Sequence, residues 1–487
     1  MIYLSTAEIA AITGGRPTAT ALPETEVRGV ATDSRECAPG WLFVAKPGAA
    51  SDGHHFVPQA FAAGAVLALA ERETTAADGT VHPAVIVPDA VLAMGKIAAH
   101  TVARLRETNA LRTVGITGSA GKTTTKDLLA AILAGTGETV APIGSYNGEV
   151  GVPLTVFKAT DQTRNLVVEM GATGVGHIEY LARMVRPEVG VVLCVGSAHA
   201  GEFGGTENIA RAKGELVEAL PEDGTAVLNL DDPAVAAMAS RTRAAVLGFG
   251  EQAPAGAVSA EDVEVDRDGH PHFTLRLPDG SAHPVRSGLI GRHHVTNLLA
   301  AAAAAYALGV DGAAIAAALT GRGPASRWRM ERTDRPDSVT VINDAYNANP
   351  DSMRAALRTL AELGLPDGQG QARRTWAVLG EMLELGEDSV LEHDLLGRLA
   401  VRLNIKKLVV VGHGAKAAYN SAVLEGSWGD EAMFVETAEE AERLLNERLR
   451  PGDIVLFKSS NGAGLRFLGD RLATTAGGLA AGEESVR

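Results

Sequence analysis

Short apolar runs alternate with helical stretches over the first hundred residues of the chain. Ser5 and Glu8 form a capping-box pattern before the first helix, and two glycines follow that helix. Turn residues bound the apolar runs, which occupy residues 27–31, 41–45, 66–70 and 84–87. This alternation predicts an α/β domain over residues 1–110.

A second alternating set begins at residue 111 with the segment LRTVGITGSAGKTTTKDLLAAIL. Residues 113–117 predict a buried strand, residues 118–122 a tight loop, and residues 123–133 a helix. Two further buried runs end at Glu169 and near Val195, so we expect a largely parallel sheet covered on both faces. Alternating residues on either side of an Asp-Gly turn at 268–269 predict a hairpin that forms an antiparallel appendage.

A third alternating set follows a loop near residue 325. Its apolar runs occupy residues 339–342, 376–379, 408–411 and 454–457, with helices between them. The whole chain therefore predicts an α/β fold of three domains, with a central phosphate-loop (P-loop) type sheet that is mostly parallel. We place the domains at residues 1–110, 111–325 and 326–487.

The loop after the first central strand has the composition of a phosphate-binding loop. From Gly118 to Thr123 it reads GSAGKT, a compact variant, because the strict pattern places a further glycine where Ile116 stands. Backbone N–H groups of such a loop bind anions, Lys122 adds a positive charge, and the Thr123 hydroxyl can bind Mg²⁺. The strand before the loop and the helix after it favour a nucleotide-phosphate site.

Two more polar residues lie at the ends of predicted central strands. Glu169 ends one strand, and His199 follows another in a glycine-rich loop. Ligands of parallel sheets bind beyond the carboxyl ends of the strands. Taken singly, each residue is equally consistent with a solvated position, but with the phosphate loop they favour a metal site. Lys213, on a helix that Thr206 would cap, is by pattern alone more typical of a solvated charge.

Several polar residues away from the ends of the central strands have both a structural and a ligand-binding interpretation. Asn297 lies among apolar neighbours and needs a hydrogen-bonding partner, which is either backbone or a base. The segment NDAYNANPDSM places Asp344, Asn347 and Asn349 at a strand-to-helix crossing, where ordinary turn chemistry explains them equally well.

In the N-terminal domain, Ser34 and Arg35 belong to the loop segment TDSR. Such donors suit a ligand phosphate, but exposed loops are polar in any case. Residue type alone therefore leaves both interpretations open.

Charge and composition exclude some classes of function. The 487 residues carry a net charge of −15, which argues against general binding to nucleic acid or anionic membranes, so an anionic substrate needs local basic groups. The two cysteines lack metal-ligand spacing and fit a reducing cytoplasm. The first residues lack the pattern of a signal peptide, and the alanine-rich tract 298–308 is too short for a membrane span, so no membrane insertion is expected.

The motifs together resemble those of the Mur ligases, the ATP-dependent enzymes that extend the peptidoglycan precursor. The resemblance extends over essentially the whole chain, and YNANP is its most telling segment. It rests on TDSR, DGHHF, TGSAGKTTT, YNGEVGVP, VVEMGA, AHAGEFG, ARAKGEL, GRHHVTNLLAA, DAYNANPDSM and LGEMLELGEDS.

The resemblance implies ATP and Mg²⁺ as cofactors, and UDP-N-acetylmuramoyl-tripeptide and D-alanyl-D-alanine as the substrates joined through an acyl phosphate. It implies an N-terminal domain for the UDP substrate, a central ATP-binding domain and a C-terminal Rossmann-like ligase domain. A cytoplasmic monomer with a role in cell-wall synthesis, cell shape and cell division is expected.

The resemblance also implies roles for individual residues. The catalytic residues would be Lys122, Lys213, His199 and Arg329, and the metal ligands Thr123, Glu169, His199 and a carbamylated Lys213. ATP would be bound by Gly118, Ser119, Ala120, Gly121, Lys122, Thr123, Thr124, Asn297 and Asp344. The two substrates would be bound by Ser34, Arg35, Asn147, Asn347 and Asn349.

Three segments depart from the family pattern. Asn147 is followed by Gly148 rather than a second asparagine, a second histidine (His294) replaces the usual asparagine before the alanine-rich helix, and the late KGSR-like segment reads KSSN. These changes alter expected substrate contacts but not the phosphate loop. Two alternatives remain open at this stage: another amino-acid-adding Mur ligase, although the DNPR-like segment of the diaminopimelate- or lysine-adding enzyme is missing, and a regulatory protein that binds or hydrolyses ATP.

Overall fold

The computed structural model describes residues 1–48, 51–196, 205–366, 370–426 and 429–474. Three main sheets follow one another along this part of the chain. None of the described helices combines the length and hydropathy that a bilayer crossing requires.

The N-terminal part forms a five-stranded sheet that is mainly parallel. The described strands of this part are β1 (Leu4–Ser5), β2 (Arg16–Pro17), β3 (Glu26–Val27), β4 (Gly29–Ala31), β5 (Trp41–Ala45), β6 (Ala65–Ala70) and β7 (Ala84–Ile86), and all but β1 and β3 belong to the sheet. Its helices are α1 (Thr6–Thr13), α2 (Val57–Ala62) and α3 (Ala90–Asn109). The order is β2-β7-β6-β5-β4, with β2 antiparallel, while β1 pairs separately with β3. Ser5 and Glu8 make the predicted capping box at the start of α1.

The central part forms a nine-stranded sheet. Its strands are β8 (Arg112–Thr117), β9 (Glu138–Val140), β10 (Thr163–Glu169), β11 (Val189–Val192), β12 (Thr225–Asn229), β13 (Ala245–Gly250), β14 (Val258–Val265), β15 (Pro271–Arg276) and β16 (Ala282–Arg286). Its helices are α4 (Lys122–Leu133), α5 (Gly151–Val156), α6 (His177–Val185), α7 (Thr206–Glu218), α8 (Pro233–Ala236), α9 (His294–Ala307) and α10 (Gly312–Leu319). The order is β16-β15-β14-β13-β12-β11-β8-β10-β9, so β8 lies between β10 and β11 and runs parallel to both.

The C-terminal part forms a six-stranded sheet. Its strands are β17 (Glu331–Asp334), β18 (Thr340–Asn343), β19 (Thr375–Leu379), β20 (Lys407–Val411), β21 (Ala432–Val435) and β22 (Ile454–Lys458). Its helices are α11 (Pro350–Leu363), α12 (Ser389–Arg402), α13 (Lys416–Glu425), α14 (Ala438–Arg448) and α15 (Leu465–Thr474). The order is β17-β18-β22-β19-β20-β21, and only β17 is antiparallel to its neighbour. The α/β fold class is as predicted, while the domain limits at residues 110 and 325 stay a prediction.

The alanine-rich helix α9 forms much of the central core. Its six consecutive alanines at 300–305 are fully buried, and the helix packs against α4, β12 and β13. Because small side chains allow backbones to approach closely, α9 packs tightly between the sheet and α4, the helix that follows the phosphate loop. This packing fixes α4, and with it the loop at the carboxyl end of β8.

Three local predictions need correction. The hairpin of β14 and β15 forms, but β14 also pairs with β13, so the hairpin is part of the main sheet and not an appendage. Thr206 is the first residue of α7 rather than its cap, because Gly205 occupies the cap position. Strand β11 ends at Val192, and the backbone N–H of Val195 instead donates to Asp232 Oδ2 at 2.8 Å.

Candidate active site at the edge of the central sheet

The loop between β8 and α4 presents free backbone donors to an anion. Gly121 caps α4 with φ +83°, and no side chain caps the first turn of the helix. A Cβ atom at Gly121 would lie 2.2 Å from Asn297 Oδ1, so only glycine fits there. Lys122 Nζ donates to Gly118 O at 2.7 Å and lies across the loop. Uncapped N–H groups, the positive end of the helix dipole and this ammonium together form an anion site.

A cavity of about 670 Å³ opens in front of this loop. It extends from the central sheet edge to the C-terminal part of the chain. Its lining includes residues 118–124, Ser145, Asn147, Glu169, His177, Lys213, Arg329, Asn347 and Asn349. Most of the site residues predicted from the sequence therefore line one cavity.

Glu169 has the properties expected of a cation ligand. It is fully buried at the end of β10, and its Oε1 accepts hydrogen bonds from Ser145 Oγ at 2.9 Å and Asn147 Nδ2 at 3.4 Å. Its Oε2 is also buried and has no hydrogen-bond partner among the described residues. A buried carboxylate oxygen is costly when unpaired, and a divalent cation would satisfy it. Thr123 lines the same cavity, so the donor set fits Mg²⁺.

Lys213 reaches the same cavity from α7 and is 7% exposed, so the interpretation as a solvated charge is wrong. Burial lowers its pKa to about 7, and the nearby Lys122 charge acts in the same direction. Helix α7 is fixed in place by Glu215, whose carboxylate accepts from Gly176 N at 2.6 Å and Glu179 N at 3.0 Å at the start of α6. His199 lies in segment 197–204, outside the described residues.

A second cavity of about 320 Å³ lies on the other side of the loop. Asn297 lines it and donates from Nδ2 to His294 Nδ1 at 3.1 Å, while its Oδ1 accepts from Thr125 Oγ1 at 3.4 Å. Burial holds the pKa of His294 well below its usual value, so its ring is neutral at pH 7. Asp344 also lines this cavity, and its Oδ2 pairs with Lys458 Nζ at 2.5 Å.

The C-terminal part contacts the phosphate loop directly. Asn349 caps α11, since its Oδ1 accepts from Ser352 N at 2.9 Å, and its Nδ2 donates to Ser119 O at 3.3 Å. Arg329 Nη2 donates to Thr123 Oγ1 at 3.3 Å. The side chain of Asn347 is exposed within the larger cavity, whereas its carbonyl accepts from Lys458 at 3.1 Å.

Known proteins similar to this chain are consistent with a nucleotide-binding site at the phosphate loop. Three family descriptions match successive parts of the chain: "Mur ligase family, catalytic domain" over residues 26–108, "Mur ligase middle domain" over 116–305, and "Mur ligase, glutamate ligase domain" over 328–461. The UDP-N-acetylmuramoyl-tripeptide--D-alanyl-D-alanine ligase of Mycobacterium tuberculosis is 47% identical, over 97% of this chain and 98% of that protein. The chain belongs to the Mur ligase family. As a Mur ligase, it is an ATP-dependent ligase.

Solved Mur ligase structures share the fold over nearly the full length. A MurF crystal structure from Acinetobacter baumannii is 31% identical, with a TM-score of 0.84, and the match covers 97% of this chain and 99% of that one. A MurF ligase from Thermotoga maritima, solved in complex with ADP, is 26% identical with a TM-score of 0.76, covering 92% and 97%.

Two expected substrate residues of this Mur ligase lie away from both cavities. Ser34 is buried and donates to Gln59 Oε1 at 3.0 Å. Arg35 is exposed and forms an ion pair of 2.5 Å with its neighbour Asp33. Neither lines the cavities around the phosphate loop, so their role in substrate binding stays a prediction.

Sequence reasoning missed several residues of the site. Ser145 donates a hydrogen bond to Glu169 and accepts one from Asn147. Its position two residues before Asn147 was the feature of the sequence that could have identified it. His177 begins α6 and lines the cavity after a glycine-rich run. Lys458 was noted only as part of a departing segment, yet it anchors Asp344 and the backbone of Asn347.

Proposed function

We propose that this Mur ligase joins D-alanyl-D-alanine to UDP-N-acetylmuramoyl-tripeptide at the expense of ATP. The observation that carries the proposal is the single cavity where Lys122, Glu169 and Lys213 of the central part face Asn347 and Asn349 of the C-terminal part. Phosphate chemistry and amine binding therefore share one space. The curated relatives that bear this name match nearly the whole chain.

Peptide-bond formation from a carboxylate needs activation, because a carboxylate is a poor electrophile. A carboxylate oxygen of the tripeptide attacks the γ-phosphorus of ATP, ADP leaves, and an acyl phosphate forms. The amine of D-alanyl-D-alanine then attacks the acyl carbon, inorganic phosphate leaves with the carboxylate oxygen, and the amine loses a proton. Both steps gather negative charge, which Lys122 and Arg329 would stabilise by electrostatics and positioning.

The same edge of the sheet would hold two Mg²⁺ ions. Thr123 and Glu169 would bind the first, and His199 with a carbamylated Lys213 would bind the second. Mg²⁺ there would neutralise phosphate charge and orient the phosphate groups. The unpaired Glu169 Oε2 and the low pKa of the buried Lys213 both support this ligand set.

The second cavity would hold the nucleoside of ATP, with Asn297 near the base and Asp344 near the ribose. Residues 118–124 would bind the phosphates, and Asn147, Asn347 and Asn349 would contact the peptide substrates. Ser34 and Arg35 would contact the UDP substrate in the domain of residues 1–110, while residues 111–325 and 326–487 supply ATP and amine sites. We infer a monomer that acts in the cytoplasm, as the family resemblance implies.

The experiment is to incubate the protein with ATP, Mg²⁺ and UDP-N-acetylmuramoyl-tripeptide, with and without D-alanyl-D-alanine. We expect phosphate release that requires the dipeptide and a product whose mass is the sum of both substrates less one water. Phosphate release that ignores the dipeptide would favour a regulatory ATPase instead.

A further inference from the structure

The backbone on both sides of Arg329 adopts an unusual conformation. Trp328 has φ +58° and Met330 has φ +51°, values that bulky side chains rarely adopt. Such a conformation persists only where surrounding contacts maintain it. Trp328 N donates to Glu331 Oε2 at 2.9 Å, and Met330 N donates to Asp344 Oδ1 at 3.1 Å. The segment is therefore held in the geometry that directs Arg329 toward the phosphate loop.

The guanidinium of Arg329 is held between two groups. Its Nη2 donates to Thr123 Oγ1 at 3.3 Å, and its central carbon lies 4.6 Å from the ring centroid of Tyr346. The second contact is a cation–π interaction, which stabilises an arginine over the face of an aromatic ring. Arg329 lies over the face of the ring, so the aromatic ring rather than the hydroxyl makes this contact.

Tyr346 is in turn fixed by the aromatic residue next to Arg329. The rings of Tyr346 and Trp328 are stacked, with centroids 6.3 Å apart and an interplanar angle of 17°. Trp328 Nε1 donates to the carboxylate of Asp470 at 3.0 Å, and the guanidinium of Arg327 lies 4.8 Å from the Trp328 ring. Tyr346 is thus part of a rigid group within the C-terminal part of the chain.

We propose that Tyr346 is a positioning residue that holds the Arg329 guanidinium against the phosphate loop. The inference rests on the proposed role of Arg329 at ATP. A guanidinium whose position is set before the reaction does not have to be ordered during it, so its stabilisation of the transferring phosphoryl group is larger. Tyr346 would act through Arg329 and would not itself touch the reacting atoms.

The test is a double-mutant cycle with Tyr346→Leu and Arg329→Ala, together with the conservative variant Tyr346→Phe. We expect Tyr346→Leu to lower kcat about ten-fold, since the loss of a partly buried cation–π contact is of that order. Tyr346→Phe keeps the ring and should stay within about two-fold of the parent. In the Arg329→Ala background, Tyr346→Leu should have no further effect, because the group it positions is gone.

Tyr419→Leu is the matched control. Tyr419 lies on α13 of the same domain, packs on Phe434 with ring centroids 6.0 Å apart, and lines neither cavity at the phosphate loop. Its loss should leave kcat unchanged, and circular dichroism should show that each variant is folded. The proposal is overturned if Tyr346→Leu lowers kcat equally with and without Arg329, if Tyr346→Phe is as impaired as Tyr346→Leu, or if Tyr346→Leu matches the parent.

Calorimetry of ATP binding repeats the cycle without turnover. We expect Tyr346→Leu to weaken ATP binding several-fold in the parent and not at all in Arg329→Ala; equal weakening in both would contradict the proposal. If the parent makes no dipeptide-dependent product, the proposed function fails, whereas this binding cycle still reports on Tyr346.

Discussion

The central sheet edge and the C-terminal segment that faces it contribute to the site in different ways. Lys122 and Thr123 begin the helix that follows β8, and Glu169 ends the adjacent parallel strand β10, so the sheet and the packing of α4 fix their relative positions. Arg329 and Asn349 reach the loop through single hydrogen bonds of 3.3 Å each. The first group is one rigid unit, while the second depends on how two domains meet. We therefore expect substitutions at the sheet edge to abolish the chemistry and substitutions in the segment to weaken it.

The largest effect is expected for Lys122→Ala. Its ammonium donates a hydrogen bond to a loop carbonyl, that of Gly118, so the fold should survive, whereas loss of its charge at the phosphates should lower kcat by about 10³-fold or more. The measurement is phosphate release, with thermal unfolding as the check on the fold. The exposed Lys158→Ala is the control for removing a lysine from the same domain. A Lys122→Ala variant that ligates at the parent rate would show that the central sheet edge is no more important for the chemistry than the C-terminal segment.

Lys213→Ala should lose most activity, about 10²-fold, because a buried metal ligand would be lost. A short-chain carboxylic acid added to the variant should restore part of it by supplying the missing carboxylate. The readout is product formation at increasing acid concentration, with the same series on Lys158→Ala as control. Full activity of the unsupplemented variant would show that Lys213 is not a ligand.

Asn349 allows the contact across the domain boundary to be separated from helix capping. Asn349→Asp keeps an oxygen for Ser352 N but cannot donate to Ser119 O, so it should lower kcat/KM about ten-fold without changing Tm. Asn349→Ala loses the cap as well and should also lower Tm by a few degrees. Steady-state kinetics and thermal unfolding of the two Asn349 variants separate the contact with Ser119 from the helix cap. An aspartate variant with parent kcat/KM would mean that the contact to the phosphate loop is dispensable.

The smallest effect on turnover is expected from the histidines at this junction, which should instead make stability depend on pH. Burial lowers the pKa of His293 to about 4 and that of His294 well below 6.5. Between the folded and unfolded pKa values the unfolded chain binds more protons, so stability should fall as pH drops below about 6.5, by up to about 1.4 kcal/mol per pH unit for each histidine. Denaturant titrations from pH 7.5 to 5 measure the slope, and His294→Asn should reduce it. An unchanged slope in His294→Asn would indicate that His294 is not the group responsible.

The sequence predicted the central edge better than the facing segment, for physical reasons. The apolar run before Gly118 and the helix pattern after Lys122 are local, and adjacency of parallel strands follows from the α/β alternation. Whether Lys213 faces solvent or the cavity depends on how α7 packs against the sheet and α6. A helix pattern does not encode that packing, and only the family resemblance singled out this residue.

The support around the C-terminal residues was not predictable from local patterns. Lys458 meets Asp344 across more than a hundred residues, and Trp328 meets Asp470 across a similar separation. Positive φ at Trp328 and Met330 runs against the preference of both residues and exists because tertiary contacts maintain it. Ser34 and Arg35 carry a family motif, yet the described structure pairs them with Gln59 and Asp33, away from both cavities.

We propose that the tripeptide carboxylate and the terminal phosphoryl group of ATP react directly in the cavity shared by the two regions. The most direct measurement labels both oxygens of that carboxylate with ¹⁸O and follows the label by mass spectrometry. We expect one ¹⁸O atom in each phosphate released and the other in the new amide. Unlabelled phosphate, with ligation proceeding normally, would contradict it.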